Sequence, residues 1–294
     1  MIVTVTANPL LDHLAEGAPA PGGIRRVDAF VPTAGGKGLN VARVLARHGH
    51  RVLACGFAGG RSGEHLAELV AADGVEPAFT AVAAATRVGF QLIDGASVSA
   101  VMARGFPVTA SECGSLLSRV RSLLGAARLV LIGGSTCHSA ADGLYRQLAD
   151  ACAHAGVPCW IDAYGPAMAA ALAGAHPPAL GKPNREEYAA LGEKTWLACR
   201  ELHVTDGAEP VRVLHPEGRL RVTPPRVRER NATGSGDCYL AGLAHARLAG
   251  MPLEQQCRYA AAAGAANSAR ADVAAIAPED IAALLDQVAV EAEP

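Results

Sequence analysis

The 294 residues are half hydrophobic, only 4% aromatic and carry a formal charge of −2. That near balance excludes partners chosen by bulk electrostatics, such as duplex nucleic acid or an anionic membrane surface, so any anion must be bound by local groups. No run of about twenty apolar residues could span a bilayer and the N-terminus lacks a signal-peptide pattern; the eight cysteines form no C-x-x-C pair and no short disulfide framework, as expected of a reduced, cytoplasmic chain.

Residues 1–7 alternate β-branched and small side chains and are predicted to form a strand, with a second, more polar strand at 24–31. From 38 to 48 the apolar positions Leu39, Val41, Ala42, Val44 and Leu45 follow helical spacing, and 51–57 is strand-like again, which closes a β-α-β unit. The cycle continues with a helix at 64–72, strands at 88–93 and 98–102, a helix at 111–124, a strand at 129–132, a helix at 140–154 and a strand at 158–161. Short strands follow at 202–205, 211–214 and 220–222, then helices at 236–249, 252–268 and 278–288.

Strands alternating with helices predict an α/β fold, a doubly wound, mainly parallel sheet flanked by helices, in a single domain over 1–294. The polar strands fit badly inside a buried parallel sheet. They are expected to form a small β lid, inserted at about 12–33 and 86–106, over the carboxyl edge where such sheets bind ligands.

The strongest chemical signal is Asn231-Ala-Thr-Gly234-Ser235-Gly236-Asp237, followed by a helical pattern. Glycines let the backbone approach a ligand, and a helix start offers free N–H groups and a positive dipole end, which together make an anion cradle. Asp237 at that point can accept a proton from an attacking hydroxyl; with an ordinary pKa of about 3.9 it would act mainly by orienting the alcohol. Taken alone, an N-cap role explains Asp237 equally well.

A second signal, Ala34-Gly-Gly-Lys37-Gly-Leu-Asn40, opens the first long helix but is no Walker A loop, since Val31 and Gly38 stand where a Gly and a Ser or Thr are required. A third is Gly181-Lys182-Pro183-Asn184-Arg-Glu-Glu187, in which a capping box accounts for Asn184 and Glu187 but not for Lys182. Of the 26 basic residues only Lys37, Lys182 and Lys194 are lysines. A chain that otherwise writes positive charge as arginine places two of its few compact ammonium groups inside motifs, and the two residue types are not interchangeable at a phosphate.

Taken in order, Asn8-Pro9-Leu10-Leu11-Asp12, Gly35-Gly36 with Asn40-Val41-Ala42-Arg43, Thr86-Arg87, Lys182-Pro183-Asn184 with Glu187, Thr205-Asp206-Gly207 and Gly234-Ser-Gly-Asp237 resemble the PfkB (ribokinase-like) carbohydrate kinase family over nearly the whole chain. Within it they look like the branch of 1-phosphofructokinase, tagatose-6-phosphate kinase and the minor 6-phosphofructokinase. The resemblance implies ATP with Mg2+, a phosphosugar substrate and a homodimer through the lid strands. It implies Asp237 as base and Gly234, Ser235 and Gly236 as the anion hole. Asp12, Gly36 and Asn40 would hold sugar hydroxyls, and Lys37 and Arg87 the phosphate already on the substrate, as charged pairs reject a sugar without it. Lys182, Asn184, Glu187, Thr205 and Gly207 would line the nucleotide site, with Asn184 and Glu187 reaching the metal through water, and Asn267 would flank the adenine.

Several segments depart from the family pattern. Ala103-Arg104-Gly105-Phe106-Pro107 replaces an acidic Glu-x-Gly-Pro, and Gly133-Gly-Ser-Thr-Cys137 replaces Ser-Gly-Ser-Leu-Pro. Asn184 and Thr205 are closer than usual, which predicts a shortened or missing helix and raises the alternative of a catalytically weakened sugar-phosphate sensor; a kinase for an unphosphorylated sugar or nucleoside is the other alternative, favoured if Lys37 and Arg87 point away from the site. Cys238 stands beside the base where a small residue is usual, and His48 and His50 are expected on the surface at a helix end.

Overall fold

A computed structural model describes every residue except Pro21, Ala96 and Pro294. The chain opens with β1 (Ile2–Thr6), crosses into β2 (Leu10–Glu16) and β3 (Val31–Gly35), and returns through α1 (Lys37–Arg47), β4 (Val52–Ala58) and α2 (Gly60–Ala72). Two very short strands, β5 (Glu76–Pro77) and β6 (Thr80–Ala81), precede the hairpin of β7 (Arg87–Asp94) and β8 (Ser97–Met102). Next come α3 (Ala110–Leu123), β9 (Leu129–Gly133), α4 (Leu144–His154), β10 (Cys159–Asp162), α5 (Pro166–Leu172), β11 (Leu180–Gly181), α6 (Arg185–Leu191) and α7 (Glu193–Trp196). The last part holds β12 (Glu201–Asp206), β13 (Glu209–His215), β14 (Gly218–Thr223), α8 (Ser235–Leu248), α9 (Leu253–Ser268), α10 (Pro278–Ala282) and β15 (Ala289–Glu293).

The main sheet runs β15-β14-β13-β12-β11-β10-β9-β1-β4-β5, with β6 also on β4. It is parallel from β5 through β12 and antiparallel from β12 to β15. Its central strands are apolar on both faces, so alternate residues feed two cores: Leu129 and Leu131 pack with α1, α8 and α9, while Val130 and Ile132 pack with α3 and α4. Helices α8 and α9 approach closely because they meet through small residues; a Cβ on Gly242 would lie 2.8 Å from that of Ala263.

A separate four-stranded sheet, β3-β2-β7-β8, stands off the main one. The strand predicted at 24–31 lies instead at Val31–Gly35, and Leu10–Glu16, read only as a motif after the first strand, is the central strand β2. Leu10, Leu11 and Asp12 are buried, and β2 pairs with β7 over seven residues, so tertiary pairing overrides a locally weak signal. The helix predicted at 278–288 ends at Ala282, and the chain then adds β15 to the edge of β14. There Glu293 faces Arg219 and Glu291 faces Arg221, opposite charges that favour this register. Between Asn184 and Thr205, where a shortened or missing helix was expected, the structure has the seven-residue α6 and the four-residue α7.

Candidate active site

The carboxyl ends of β1, β9, β10, β11 and β12 deliver Asn8, Gly134, Asp162, Lys182 and Thr205 to one edge of the sheet, where doubly wound folds open a crevice. Helix α8 points its start into the same place. Gly234 caps it with φ of +81°, and a Cβ there would meet Val273 Cγ1 at 2.7 Å, so the turn needs glycine on both counts. Ser235 N–H donates back to Ala232 O at 3.1 Å, whereas the next two amides, of Gly236 and Asp237, have no backbone partner among the described residues. These are the orphan donors of a helix start, left free to receive a ligand where the Ser235 amide is already engaged.

Asp237 is 6% exposed and accepts a hydrogen bond at 2.7 Å from Asn40 Nδ2 of α1. Beside it lies a carboxylate that the sequence reading missed. Asp162, at the end of β10, is 2% exposed and binds Lys37 Nζ at 2.7 Å and Lys182 Nζ at 2.9 Å. Lys37 also reaches Glu187 at 3.2 Å, and the Lys182 ammonium lies 3.0 Å from where a Cβ of Gly236 would sit. A charged residue closing the apolar run Cys159-Trp-Ile-Asp162 was the available signal, since a buried parallel strand has no other use for it.

The charges set one another. Burial pushes the Asp237 carboxyl up to about 7, Asp162 adds repulsion, and Lys37, Asn40 and Lys182 only partly offset them. Burial also acts against charge on Asp162, but the two lysines outweigh it and hold that carboxyl below its ordinary value. The Lys37 ammonium is pressed down by burial and more than restored by Asp162, Glu187 and Asp237, so it stays charged. The ordinary carboxylate affinity expected for Asp237 does not hold in this buried place, where its proton affinity is raised toward neutral pH.

Two cavities meet here. The smaller, about 160 Å³, lies under the four-stranded sheet with Asp12, Gly36, Arg87, Gln91, Ser135 and Tyr164 in its wall. The larger, about 720 Å³, runs along the start of α8, with Lys182, Asn184, Glu187, Thr205 and Gly207 on one side and Ala261, Gly264 and Ala265 of α9 on the other. Lys37, Asn40 and Thr233 border both. Asp237 lines the larger cavity beside this neck, bonded to Asn40.

Several predicted site residues are engaged by other groups of the chain. Lys37, expected on the far phosphate of the substrate, is drawn to the neck by Asp162 and Glu187. Arg87 does line the smaller cavity, but its guanidinium also donates to Asn8 O (3.1 Å) and Pro9 O (3.3 Å) in the connection from β1 to β2 and to Ala103 O (3.2 Å) after β8, pinning two chain segments that leave or enter the lid sheet. Asn267, expected beside the adenine, is wholly buried: its Nδ2 donates to Thr233 O (2.9 Å) and Ser235 Oγ (3.0 Å), and its Oδ1 accepts from Ala274 N–H (2.7 Å). Those bonds use up its amide, so it holds the loop before α8. Asn184 and Glu187 form the capping box of α6 and also line the larger cavity, so both readings of them stand together. Thr205 Oγ1 donates to Pro183 O at 3.4 Å.

Gln91, buried on β7, was also missed; it donates to Asp12 Oδ2 and so orients that carboxylate toward the cavity. The two departures from pattern touch each other, since a Cβ on Gly105 would strike Cys137 O at 1.8 Å. Cys238 is buried and its thiol is pushed far up by burial, which leaves it unreactive. His48 and His50 are not free surface rings: His48 Nε2 meets Tyr259 OH at 2.9 Å and His50 Nε2 meets His245 Nδ1 at 3.0 Å. No group of three or more metal-ligating side chains occurs among the described residues, and no helix is long and apolar enough to cross a membrane.

Comparison with known proteins gives the family and the fold. The pfkB family carbohydrate kinase model matches residues 7–280. Among solved structures, phosphofructokinase-2 from Escherichia coli in complex with substrates and products is 26% identical over 97% of this chain and 98% of that one, with a TM-score of 0.87. The same enzyme in complex with fructose-6-phosphate gives 27% identity over 97% and 98%, with a TM-score of 0.84. A carbohydrate kinase from Agrobacterium tumefaciens shares the fold, at 20% identity over 99% of both chains and a TM-score of 0.74.

Proposed function

Since the chain belongs to the pfkB family of carbohydrate kinases, we propose that it transfers the γ-phosphoryl group of ATP to a hydroxyl of a ketohexose monophosphate. Fructose-1-phosphate, fructose-6-phosphate and tagatose-6-phosphate are the candidates. The observation that carries this reading is the neck region, where a buried carboxylate with raised proton affinity, two ammonium groups and a glycine-flanked helix start gather beside the border of a small cavity walled by Asp12, Arg87 and Gln91 and a larger one.

The sugar enters the smaller cavity. Asp12, fixed by Gln91, and the backbone at Gly36 take its hydroxyls, and Arg87 faces its phosphate. Asn40 and Asp237 then meet the reacting hydroxyl. Asp237 accepts its proton while the free amides of Gly236 and Asp237 and the ammonium groups of Lys37 and Lys182 face the migrating phosphoryl group. The nucleotide occupies the larger cavity, its base against the small residues of α9 and its sugar near Thr205 and Gly207. Magnesium would neutralise nucleotide charge. Asp162 and Glu187 are already paired with lysines, so the described residues offer no direct ligand set, and Asn184 and Glu187 fit contact through water, as magnesium commonly keeps several.

We assign the assembly to a homodimer through the lid. Pro32, His13, Phe90 and Val101 face one another across all four strands, and Phe90 and Val101 are 45% and 76% exposed, an apolar row that a second copy would cover.

A coupled ADP-release assay over paired sugars and sugar phosphates, with titration calorimetry for ATP, tests the reading. Turnover is expected with a ketohexose monophosphate, and Asp237→Asn should lower kcat about 10²- to 10⁴-fold while sugar-phosphate binding survives. Sugar-phosphate binding without ATP binding or turnover would replace the kinase with a sensor, and preference for a plain sugar would remove the phosphate role of Arg87.

A further inference from the structure

Arg43 of α1 is 4% exposed and has no place in the chemistry above, yet its side chain is saturated. A guanidinium has five N–H donors and no acceptor. Here Nε donates to Asp73 Oδ2 (2.7 Å), Nη1 to Asn40 Oδ1 (3.2 Å) and Val273 O (3.3 Å), and Nη2 to Thr33 Oγ1 (3.3 Å) and Ala34 O (2.7 Å). The acceptors come from the end of α2, from α1 itself, from the loop after α9 and from lid strand β3. Thr33 and Ala34 line the smaller cavity, and Val273 packs against Gly234 at the start of α8.

The amide of Asn40 lies between this donor-only group and the acceptor-only carboxylate of Asp237. Its oxygen must turn to Arg43 and its NH₂ to Asp237, because the opposite orientation sets donor against donor and oxygen against oxygen. Building on the kinase reading above, we infer that Arg43 is a positioning residue that locks the Asn40 amide with its donor on Asp237 and ties that orientation to the lid strand over the sugar.

The charged groups facing Asp237 are Asp162, Lys37 and Lys182. Arg43→Lys leaves all of them in place and conserves the buried charge, but one ammonium cannot serve acceptors spread over four segments. The Asn40 amide is then free to turn its oxygen to Asp237, and loss of a hydrogen bond to the carboxylate raises the proton affinity of that group.

The test is the titration of the Asp237 carboxyl, followed by ¹³C NMR in the unliganded full chain and assigned with Asp237→Asn. In Arg43→Lys the midpoint should move up by about one pH unit; in active enzyme the acid limb of kcat/KM should move the same way, with the KM for ATP unchanged. An unmoved Asp237 midpoint in folded Arg43→Lys overturns the inference. If that variant does not fold, Asp73→Asn, which loosens only the Nε anchor, should give a smaller upward shift, and its absence counts equally against the lock. Failure of the wild-type chain to phosphorylate any sugar phosphate would refute the proposed function, whereas the carboxyl titration decides the role of Arg43 in either case.

Discussion

Replacing Asp162 by asparagine perturbs both the stability and the acid-base chemistry of the site. One buried carboxylate holds two ammonium groups, at 2.7 and 2.9 Å, and breaking such a pair by removing one partner costs about 3–5 kcal/mol. Lys37 keeps Glu187 at 3.2 Å, so the lower end applies. For a chain of this length unfolding entropy is about 0.6 kcal/mol per degree, and the melting temperature at pH 7 should fall by roughly 5 °C. Because the Asp162 carboxyl is held below its ordinary value, its contribution is full above that ordinary value and is lost as pH falls from there through the lowered one, so the gap should narrow below about pH 4.

The same change removes the repulsion felt by Asp237 and frees both lysines to attract it. The Asp237 carboxyl should then ionise more readily, and the acid limb of kcat/KM should move toward acid by about one pH unit or more. That direction is opposite to the one expected for Arg43→Lys. Calorimetric melting at several pH values and ADP release between pH 5 and 9 would measure both effects. A variant that melts with the wild type and has an unmoved or alkaline-shifted limb would refute the proposed coupling of the two carboxylates.

Other expectations concern the frame of the site. In the wild-type chain, kcat/KM should fall as pH drops below about 7, since the free protein must ionise Asp237 first; a profile flat down to pH 5 would contradict the raised proton affinity. Gly234→Ala puts a Cβ at a φ of +81° and 2.7 Å from Val273, so a left-handed penalty of about 1–2 kcal/mol plus the clash should lower both kcat and the melting temperature, and unchanged turnover would remove that turn from the mechanism. Arg87→Ala should raise KM for the sugar phosphate more than it lowers kcat; equal losses for phosphorylated and plain sugars would show that only its three carbonyl bonds matter. Val101→Lys on the lid face should shift a dimer to monomer in sedimentation velocity, and an unshifted dimer would place the interface elsewhere.

Much of the architecture was legible from periodicity, because strands such as Leu129–Gly133 are apolar enough to be buried on both faces and helices such as Lys37–Arg47 carry a clear apolar stripe. Strand β2 was not, since it mixes Asp12 and His13 with leucines and owes its conformation to β7; nor was β15, whose Glu residues answer arginines on β14. The Gly-Ser-Gly-Asp237 helix start was read from local chemistry alone, because an amide cradle needs only glycine geometry and a helix.

What Asp237 can do there depended on groups distant in the chain. Asp162 and Asn40 lie 75 and 197 residues away, and only close approach in a buried site changes proton affinity. Lys37 shows the same division: its residue type marked it for an anion, but the two carboxylates drawn up by β10 and α6 decided where its ammonium lies. Local sequence determined the strands, helices and caps because those depend on neighbours a few residues apart. The tertiary structure alone decided the partnering of charges, because electrostatic interaction follows distance through the fold and the dielectric around it.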